Sequence, residues 1–227
     1  MCGRFSLGVD TDRLIAEFGI ATVATPHEPR YNIAPTQPVP AVVRGEEGLR
    51  LGALRWGLVP PWAGPPGSGS PMINARSETG DRKPAVAEPF RRRRCGVLAD
   101  GFYEWVTDKG GRRVPVHFRR PDGRPFAFAG LWERWPGDDG DVHSCAILTT
   151  GPSDVVRPVH DRMPAILDEP ERDRWLDPGA ETGELLALLR PFRALEARQV
   201  STLVNDPDND DPRCIRPDPR ATPPSPA

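Results

Sequence analysis

Apolar and polar positions along the chain alternate with two different periods. Between residues 10 and 19, Leu14, Ile15 and Phe18 recur at helical spacing; Asp10 or Thr11 stands where an N-cap would, and Gly19 where the helix would close. That pattern predicts a short amphipathic helix with Leu14, Ile15 and Phe18 on one buried face. From residue 39 the apolar runs become strand-like. Residues 39–43 and 49–56 flank Arg44-Gly45-Glu46-Glu47-Gly48, a hairpin-like connection. Further strands are predicted over 95–99, 102–106, 114–118, 126–132 and 145–149, with Asp108-Lys109-Gly110-Gly111 the clearest turn between two of them. Helical spacing returns over 170–176 and over 181–190, with its Leu185, Leu186, Leu188, Leu189 cluster, and a final strand is predicted over 199–204. Residues 64–70 (GPPGSGS) read as a flexible loop inside a domain, and residues 216–227 as a disordered, Pro-rich tail. The expected fold is α+β: a single domain over 1–215 with a curved, barrel-like mixed β core flanked by short helices.

Composition narrows this further. With 22 Gly and 29 Pro in 227 residues, a helical bundle or coiled coil is excluded as the main architecture. The 30 Lys+Arg and 32 Asp+Glu give a net charge of -2, which speaks against a nucleic-acid binder, since these normally carry a basic excess. The total conceals an uneven distribution. Residues 76–94 hold seven cations (Arg76, Arg82, Lys83, Arg91, Arg92, Arg93, Arg94) against three anions, while 138–141 hold three Asp and 206–211 four. A basic stretch beside acidic ones implies weak nonspecific DNA affinity. Only Lys83 and Lys109 among the cations are lysines, which reads mostly as coding bias, though it supplies many fixed guanidinium donors. No run approaches the roughly 18 apolar residues of a membrane span, and Met1-Cys2-Gly3-Arg4-Phe5 has no signal-peptide core. The expected location is cytoplasmic, with no membrane partner.

The cysteines are Cys2, Cys95, Cys145 and Cys214, with no CxxC pair and no His at zinc-finger spacing, so no metal or other cofactor is expected. Cys95 and Cys145 read as small core residues at strand starts. Cys2 differs because its neighbour is the initiator Met. Once Met1 is removed, Cys2 carries a free α-amine and a thiol on adjacent carbons. Such a 1,2-aminothiol condenses with an aldehyde to an imine, and the sulfur then closes a five-membered thiazolidine. Ordinary pKa values of about 7.7–8.0 for the amine and about 8.5 for the thiol let both supply nucleophile near neutral pH with modest help. Glu104, in Gly101-Phe102-Tyr103-Glu104-Trp105-Val106, shares a strand face with Phe102 and Val106. Desolvation there would raise its pKa toward the general acid/base range, with a buried ion pair to Arg as the structural alternative. His160 lies in a polar loop bounded by Pro158 and Pro164 and suits proton transfer better than His117 and His143, which fall in strand-like runs. Asn74 offers a neutral donor and acceptor, and Arg76 a fork for phosphate. Trp56 reads as a core anchor; Trp62, bordering the flexible loop, could stack on or wedge between bases.

These segments occur in a characteristic order: Met1-Cys2-Gly3-Arg4-Phe5; Arg30-Tyr31-Asn32-Ile33-Ala34-Pro35-Thr36; Trp56-Gly57-Leu58-Val59-Pro60; Asn74-Ala75-Arg76-Ser77-Glu78-Thr79; Arg94-Cys95-Gly96-Val97-Leu98-Ala99-Asp100-Gly101-Phe102-Tyr103-Glu104-Trp105; and His160-Asp161-Arg162-Met163-Pro164. The chain strongly resembles the SRAP family, the SOS response-associated peptidases, from residue 2 to about 215. The resemblance implies recognition of abasic sites in single-stranded DNA and their covalent capture as a thiazolidine on Cys2, shielding the lesion, after self-removal of Met1. It places Asn74, Glu104 and His160 on the family's active-site positions and Arg4, Arg76 and Arg162 on positions that approach the DNA backbone. It also implies a monomer that becomes nucleoid-associated when crosslinked. The segment from Trp62 to Pro71 departs from the family pattern in its Gly, Ser and Pro content, and Trp62 is carried over as a DNA contact against that departure. Two other readings use the same residues: an N-terminal-nucleophile cysteine peptidase acting on other proteins through Cys2, Glu104 and His160, and a noncovalent binder of single-stranded or junction DNA.

Overall fold

A computed structural model describes residues 2–138 and 140–218. In chain order its strands are β1 (Phe5–Leu7), β2 (Ile20–Val23), β3 (Arg30–Ile33), β4 (Pro38–Gly45), β5 (Gly48–Trp56), β6 (Asn74–Arg76), β7 (Arg94–Ala99), β8 (Gly101–Thr107), β9 (Arg113–Arg119), β10 (Phe126–Trp135), β11 (Val142–Thr150), β12 (Met163–Pro164), β13 (Ile166–Leu167) and β14 (Glu196–Gln199). The helices are α1 (Thr11–Phe18), α2 (Pro84–Arg92), α3 (Glu169–Leu176) and α4 (Thr182–Leu188). Strands β5, β4, β7, β10 and β11 pair in succession, and a parallel pairing of β11 with β5 closes the ring into a barrel. Parallel β6 and β2 sit on β11 and β5, so the sheet is mixed. A second, antiparallel sheet runs in the order β14-β9-β8-β1-β3. The expected α+β fold with a barrel-like mixed core is the fold observed.

The two sheets join through aromatic rings, as expected where apolar strand faces meet. Phe5 of β1 packs edge-on against Trp56 of β5 at 5.1 Å and against Phe128 of β10 at 5.7 Å between ring centroids. Phe102 of β8 stacks on Phe118 of β9 at 5.0 Å and also reaches Phe128. The opposite face of the second sheet is covered by the chain's C-terminal segment, where Tyr103 packs with Val200, Val204 and Cys214.

Local signals explain several elements. Asp10 caps α1 by accepting from the Arg13 N–H at 2.9 Å, and Gly19 closes it in the left-handed region at φ 63°. Leu14 and Phe18 are buried, but Ile15 is 37% exposed, because the helix turns only a narrow stripe inward. The 39–56 hairpin forms, with its turn tightened to Glu46-Glu47 between Gly45 and Gly48. Cys95 and Cys145 are both fully buried. The predicted strand over 199–204 is corrected: β14 ends at Gln199, and the Ser201 side chain accepts from the Leu203 N–H and starts a 3-10 turn over Thr202–Asn205. The helix expected over 181–190 stops at Leu188. Arg216 and Asp218 still make backbone hydrogen bonds, to Ser201 and Gln199, so pairing continues past the expected start of the tail at 216. Residues 219–227 of that expected tail lie outside the described residues.

Strand β1 is held by side chains as well as by its ladder. Ser6 Oγ donates to Asp100 Oδ1 at 2.6 Å and lies 2.9 Å from His117 Nε2, and Asp100 Oδ2 accepts from the Gly8 N–H at 2.6 Å. With the Ser6 proton committed to Asp100, the hydroxyl accepts from His117 Nε2–H. Burial, with Arg119 and Arg198 nearby, pushes the His117 pKa down to about 3 and keeps the ring neutral. Gly101 is required where that ring sits: a Cβ there would lie 2.1 Å from His117 Nε2 and 2.9 Å from the Phe118 carbonyl oxygen. We expect Gly101→Ala to destabilise the fold by about 2–3 kcal/mol through overpacking. Urea unfolding checks this, and a loss below about 0.5 kcal/mol would mean that the ring moves aside without penalty.

Candidate active site

Cys2 is fully buried although only one residue precedes it. Its position follows from the β1–β8 register. Phe5 pairs with Phe102, and the Tyr103 N–H donates to the Arg4 carbonyl at 3.0 Å. The antiparallel ladder therefore carries Gly3 alongside Glu104, and both line one cleft with Arg4, Trp105, Arg113, His160 and Asn205, about 420 Å³ in volume. A larger concavity of about 510 Å³ around Arg120, Arg190 and Phe192 contains none of the expected residues. Its arginines Arg120 and Arg190 pair with Asp168 and Glu171.

Three of the sequence-predicted residues surround Cys2. Asn74, on β6 in register with Ile147 of β11, donates from Nδ2 to the Cys2 carbonyl at 2.8 Å. Its Oδ1 is buried and has no hydrogen-bond partner among the described residues. A buried unsatisfied acceptor of this kind is costly and is expected where a ligand supplies the missing donor. Glu104 is 5% exposed and shares its strand face with buried Phe102, as the alternation predicts. Burial pushes its carboxyl above the ordinary range, opposed in part by nearby positive charge including His160. His160 arrives on the loop between β11 and β12. Its Nδ1 lies 2.9 Å from the Arg162 backbone N–H and 3.0 Å from Asp161 Oδ1. Nδ1 serves one of them at a time: the neutral ring accepts from Arg162 and carries its proton on Nε2, and the charged ring donates to Asp161.

The Cys2 thiol departs from expectation. Burial first, and the Glu104 charge second, push its pKa up. The site therefore stores a thiol, not a thiolate, and the proton must leave as the sulfur attacks.

The expected DNA-contact residues divide. Arg76 on β6 is exposed, with no side-chain hydrogen bond or ion pair among the described residues. Arg4 is already engaged: Nη1 donates to Asn32 Oδ1 at 2.7 Å and to the Val204 carbonyl at 2.9 Å. Arg162 is held by Glu78, at 2.5 Å and 3.0 Å from its two Nη atoms. Trp62 is 72% exposed in the 57–72 loop. The basic stretch over 76–94 is less basic in space than in sequence. Arg94 is buried and donates to the carbonyls of Phe90, Arg91, Trp175 and Asp177; Arg93 pairs with Glu133, and Arg92 with Glu88.

Sequence reasoning did not assign a site role to Trp105, Arg113 or Asn205. The guanidiniums of Arg4 and Arg113 lie 5.8 Å and 5.1 Å from the Trp105 ring centroid, and Trp105 Nε1 donates to Asn205 Oδ1 at 2.6 Å. The Asp108–Gly111 turn fixes the hairpin register and so places Arg113 opposite Thr107, a signal available in the sequence. The Asn205 contact spans 100 positions and has no local signal.

Fold and site together define a closed mixed barrel whose cleft contains a second-position cysteine, a buried carboxyl, an imidazole and a carboxamide. The model of the SOS response associated peptidase (SRAP) family matches residues 1–207. The chain is 41% identical over 221 residues to the abasic site processing protein YoqW of Bacillus subtilis, covering 95% of this chain and 99% of that protein. It is 32% identical over 222 residues to the abasic site processing protein HMCES of Xenopus tropicalis, covering 83% of this chain and 66% of that one. A crystal structure of a protein from Bacteroides thetaiotaomicron superposes with a TM-score of 0.84 at 24% identity, over 96% of this chain and all of that one. The chain belongs to the SRAP family. Among the described residues, no helix is long and apolar enough to cross a membrane.

The buried carboxyl carries a stability signature. A carboxyl with a raised native pKa leaves the folded state at full stability below the ordinary value of 4.5, and stability falls as pH rises through the native value. Glu104→Gln should therefore gain stability over wild type at pH 8 and lose that gain at pH 4, read by urea unfolding at both. A pH-independent difference would mean that the carboxylate is stabilised by its partners and not penalised by burial.

Proposed function

We propose that this chain processes abasic sites in single-stranded DNA by capturing the sugar aldehyde on Cys2. The observation that carries the reading is the convergence of Asn74, Glu104 and His160, from three separate segments, on a buried second-position cysteine. Removal of Met1 comes first and frees the α-amine. The amine adds to the open-chain aldehyde, and protonated Glu104 donates to the departing hydroxyl, so that water leaves and an imine forms. The Glu104 carboxylate then takes the thiol proton as sulfur bonds to the imine carbon, and a proton returns to the ring nitrogen. The product is a thiazolidine, and the net change is loss of one water. Raised pKa values suit both groups: the carboxyl is protonated when an acid is needed, and the thiol waits until a base is beside it.

Asn74 positions the nucleophile by holding the Cys2 carbonyl, and its free Oδ1 offers an acceptor to the amine or a sugar hydroxyl. His160, with Nε2 as donor, assists opening of the closed sugar. An imine left open would hydrolyse or lead to strand-breaking β-elimination, and ring closure diverts it. Arg76 is the cation best placed to take a flanking phosphate, and Trp62 an exposed surface for a base. Every named group comes from one chain, consistent with action as a monomer on cytoplasmic DNA.

Incubation with abasic single-stranded DNA, followed by a denaturing gel and intact mass, tests the reading. The expected mass is protein minus Met1, plus DNA, minus water. Cys2→Ala should give no denaturant-resistant band, and Glu104→Gln should slow capture by more than about tenfold. A persisting Cys2→Ala band would exclude this nucleophile, and an unchanged Glu104→Gln rate would leave the carboxyl a structural role only. Release of all DNA in denaturant would point to a noncovalent binder, and turnover of unrelated peptides to a general peptidase.

A further inference from the structure

The Arg162–Glu78 contact is more than a surface ion pair. Arg162 is only 14% exposed at its side chain, and both Nη atoms engage the two oxygens of Glu78. Nη2 also donates to the Thr149 carbonyl and to Thr149 Oγ1. Such a two-point, mostly buried guanidinium–carboxylate pair fixes geometry as a single exposed pair does not. The same arginine's backbone N–H donates to His160 Nδ1 at 2.9 Å. Glu78 lies in the 3-10 turn over Ser77–Thr79 that directly follows β6, the strand that carries Asn74. Thr149 on β11 pairs with Arg76 on one side and Pro164 on the other. The pair thus ties the His160 loop to the segment that holds Cys2.

We infer that Glu78 is a positioning residue for His160: by clamping the Arg162 guanidinium it holds the Arg162 backbone N–H against Nδ1, which keeps the neutral imidazole's proton on Nε2. The inference deepens the proposed capture reaction and rests on it for its consequence. It also separates two roles for Arg162. A guanidinium with both Nη atoms on a carboxylate has little capacity left for a phosphate, so Arg162 contributes to the site through the loop and not as a DNA anchor. The competing reading is that Glu78 merely occupies a phosphate site and is displaced by DNA.

The two readings predict opposite effects of Glu78→Ala. If Glu78 positions His160, capture at saturating abasic DNA should slow by about tenfold while the Kd for a tetrahydrofuran-containing single strand, which lacks the aldehyde, stays within about twofold. Nitrogen NMR of labelled histidine should show a shift of His160 from one protonated ring nitrogen toward a mixture of tautomers. Glu78→Gln keeps one acceptor oxygen and the side-chain volume. It should recover part of the rate and of the tautomer preference, and it serves if Glu78→Ala does not fold. An unchanged capture rate with DNA binding at least about threefold tighter would overturn the inference in favour of the competitor reading. An unchanged rate with an unchanged imidazole spectrum would overturn it in favour of an idle ion pair. If wild type forms no adduct at all, the capture reaction falls, and the imidazole spectra still decide whether Glu78 sets the tautomer.

Discussion

The structure depends on fixing a chain terminus in the interior. Terminal residues of most domains fray because nothing repays the entropy of ordering them. Here Phe5 inserts its ring between Trp56 and Phe128, two barrel strands apart in sequence but adjacent in space. Burying a phenylalanine is worth about 1.5–3 kcal/mol, and the edge-on contacts add to that. Ser6 completes the anchor through Asp100 and His117. The next residues toward the terminus have no freedom left. Arg4 is bonded to Tyr103 through its carbonyl and to Asn32 and Val204 through its side chain, and the Cys2 carbonyl is held by Asn74. A reactive group at residue 2 can be placed this accurately only because residues 4–6 are core.

The second consequence is electrostatic. A terminus drawn inside lies in a medium of low effective dielectric, where Glu104 is pushed toward its neutral form and the Cys2 thiol away from its charged one. Neither shift favours stability or resting nucleophilicity. Both favour a reaction in which protons pass between groups already in contact. The C-terminal segment is the other half of this enclosure. Asp210 accepts from the Tyr31 and Asn32 backbone N–H groups and pairs with Arg30, and Asn32 Nδ2 reaches the carbonyls of Asp206 and Asn209. The acidic stretch over 206–211 is thus in part a buckle that fastens the chain's end over β3 and Arg4.

What could be read from the sequence was what depends on local pattern. Glu104 was assigned to a buried face by two-residue alternation, and α1 by its caps and spacing; both hold in the fold. The hairpin over residues 39–56 was legible for the same reason. Strands β1, β3 and β6 were not, because runs of three or four residues such as Asn74–Arg76 carry no readable period. Helix α2 was missed because Pro89 in its interior and the arginines that follow resemble a loop. The final strand was extended too far because Val200 to Val204 has apolar residues at both ends, while the Ser201 cap that redirects the backbone is a tertiary-scale choice. The Asn32 and Asp210 contacts, nearly 180 residues apart, and Arg162 with Glu78 are products of topology.

The arginine excess acquires a physical reason from the same geometry. Lysine could not do what Arg94 does, donating to four backbone carbonyls from a buried position, nor what Arg162 does with Glu78 and Thr149 together. A rigid fork of donors satisfies several acceptors at once with little further loss of freedom. Much of the chain's positive charge is therefore internal mortar, which resolves the opening tension between a net charge of -2 and a DNA substrate. With few free cations, counterion release supplies little affinity, and nonspecific DNA is held weakly. Residence on a lesion must then come from a bond that only the lesion can form. A cleft that hides its thiol, keeps its carboxyl protonated and presents an amine to an aldehyde selects its target by chemistry, and a strongly basic surface would work against that selection by holding undamaged DNA as well.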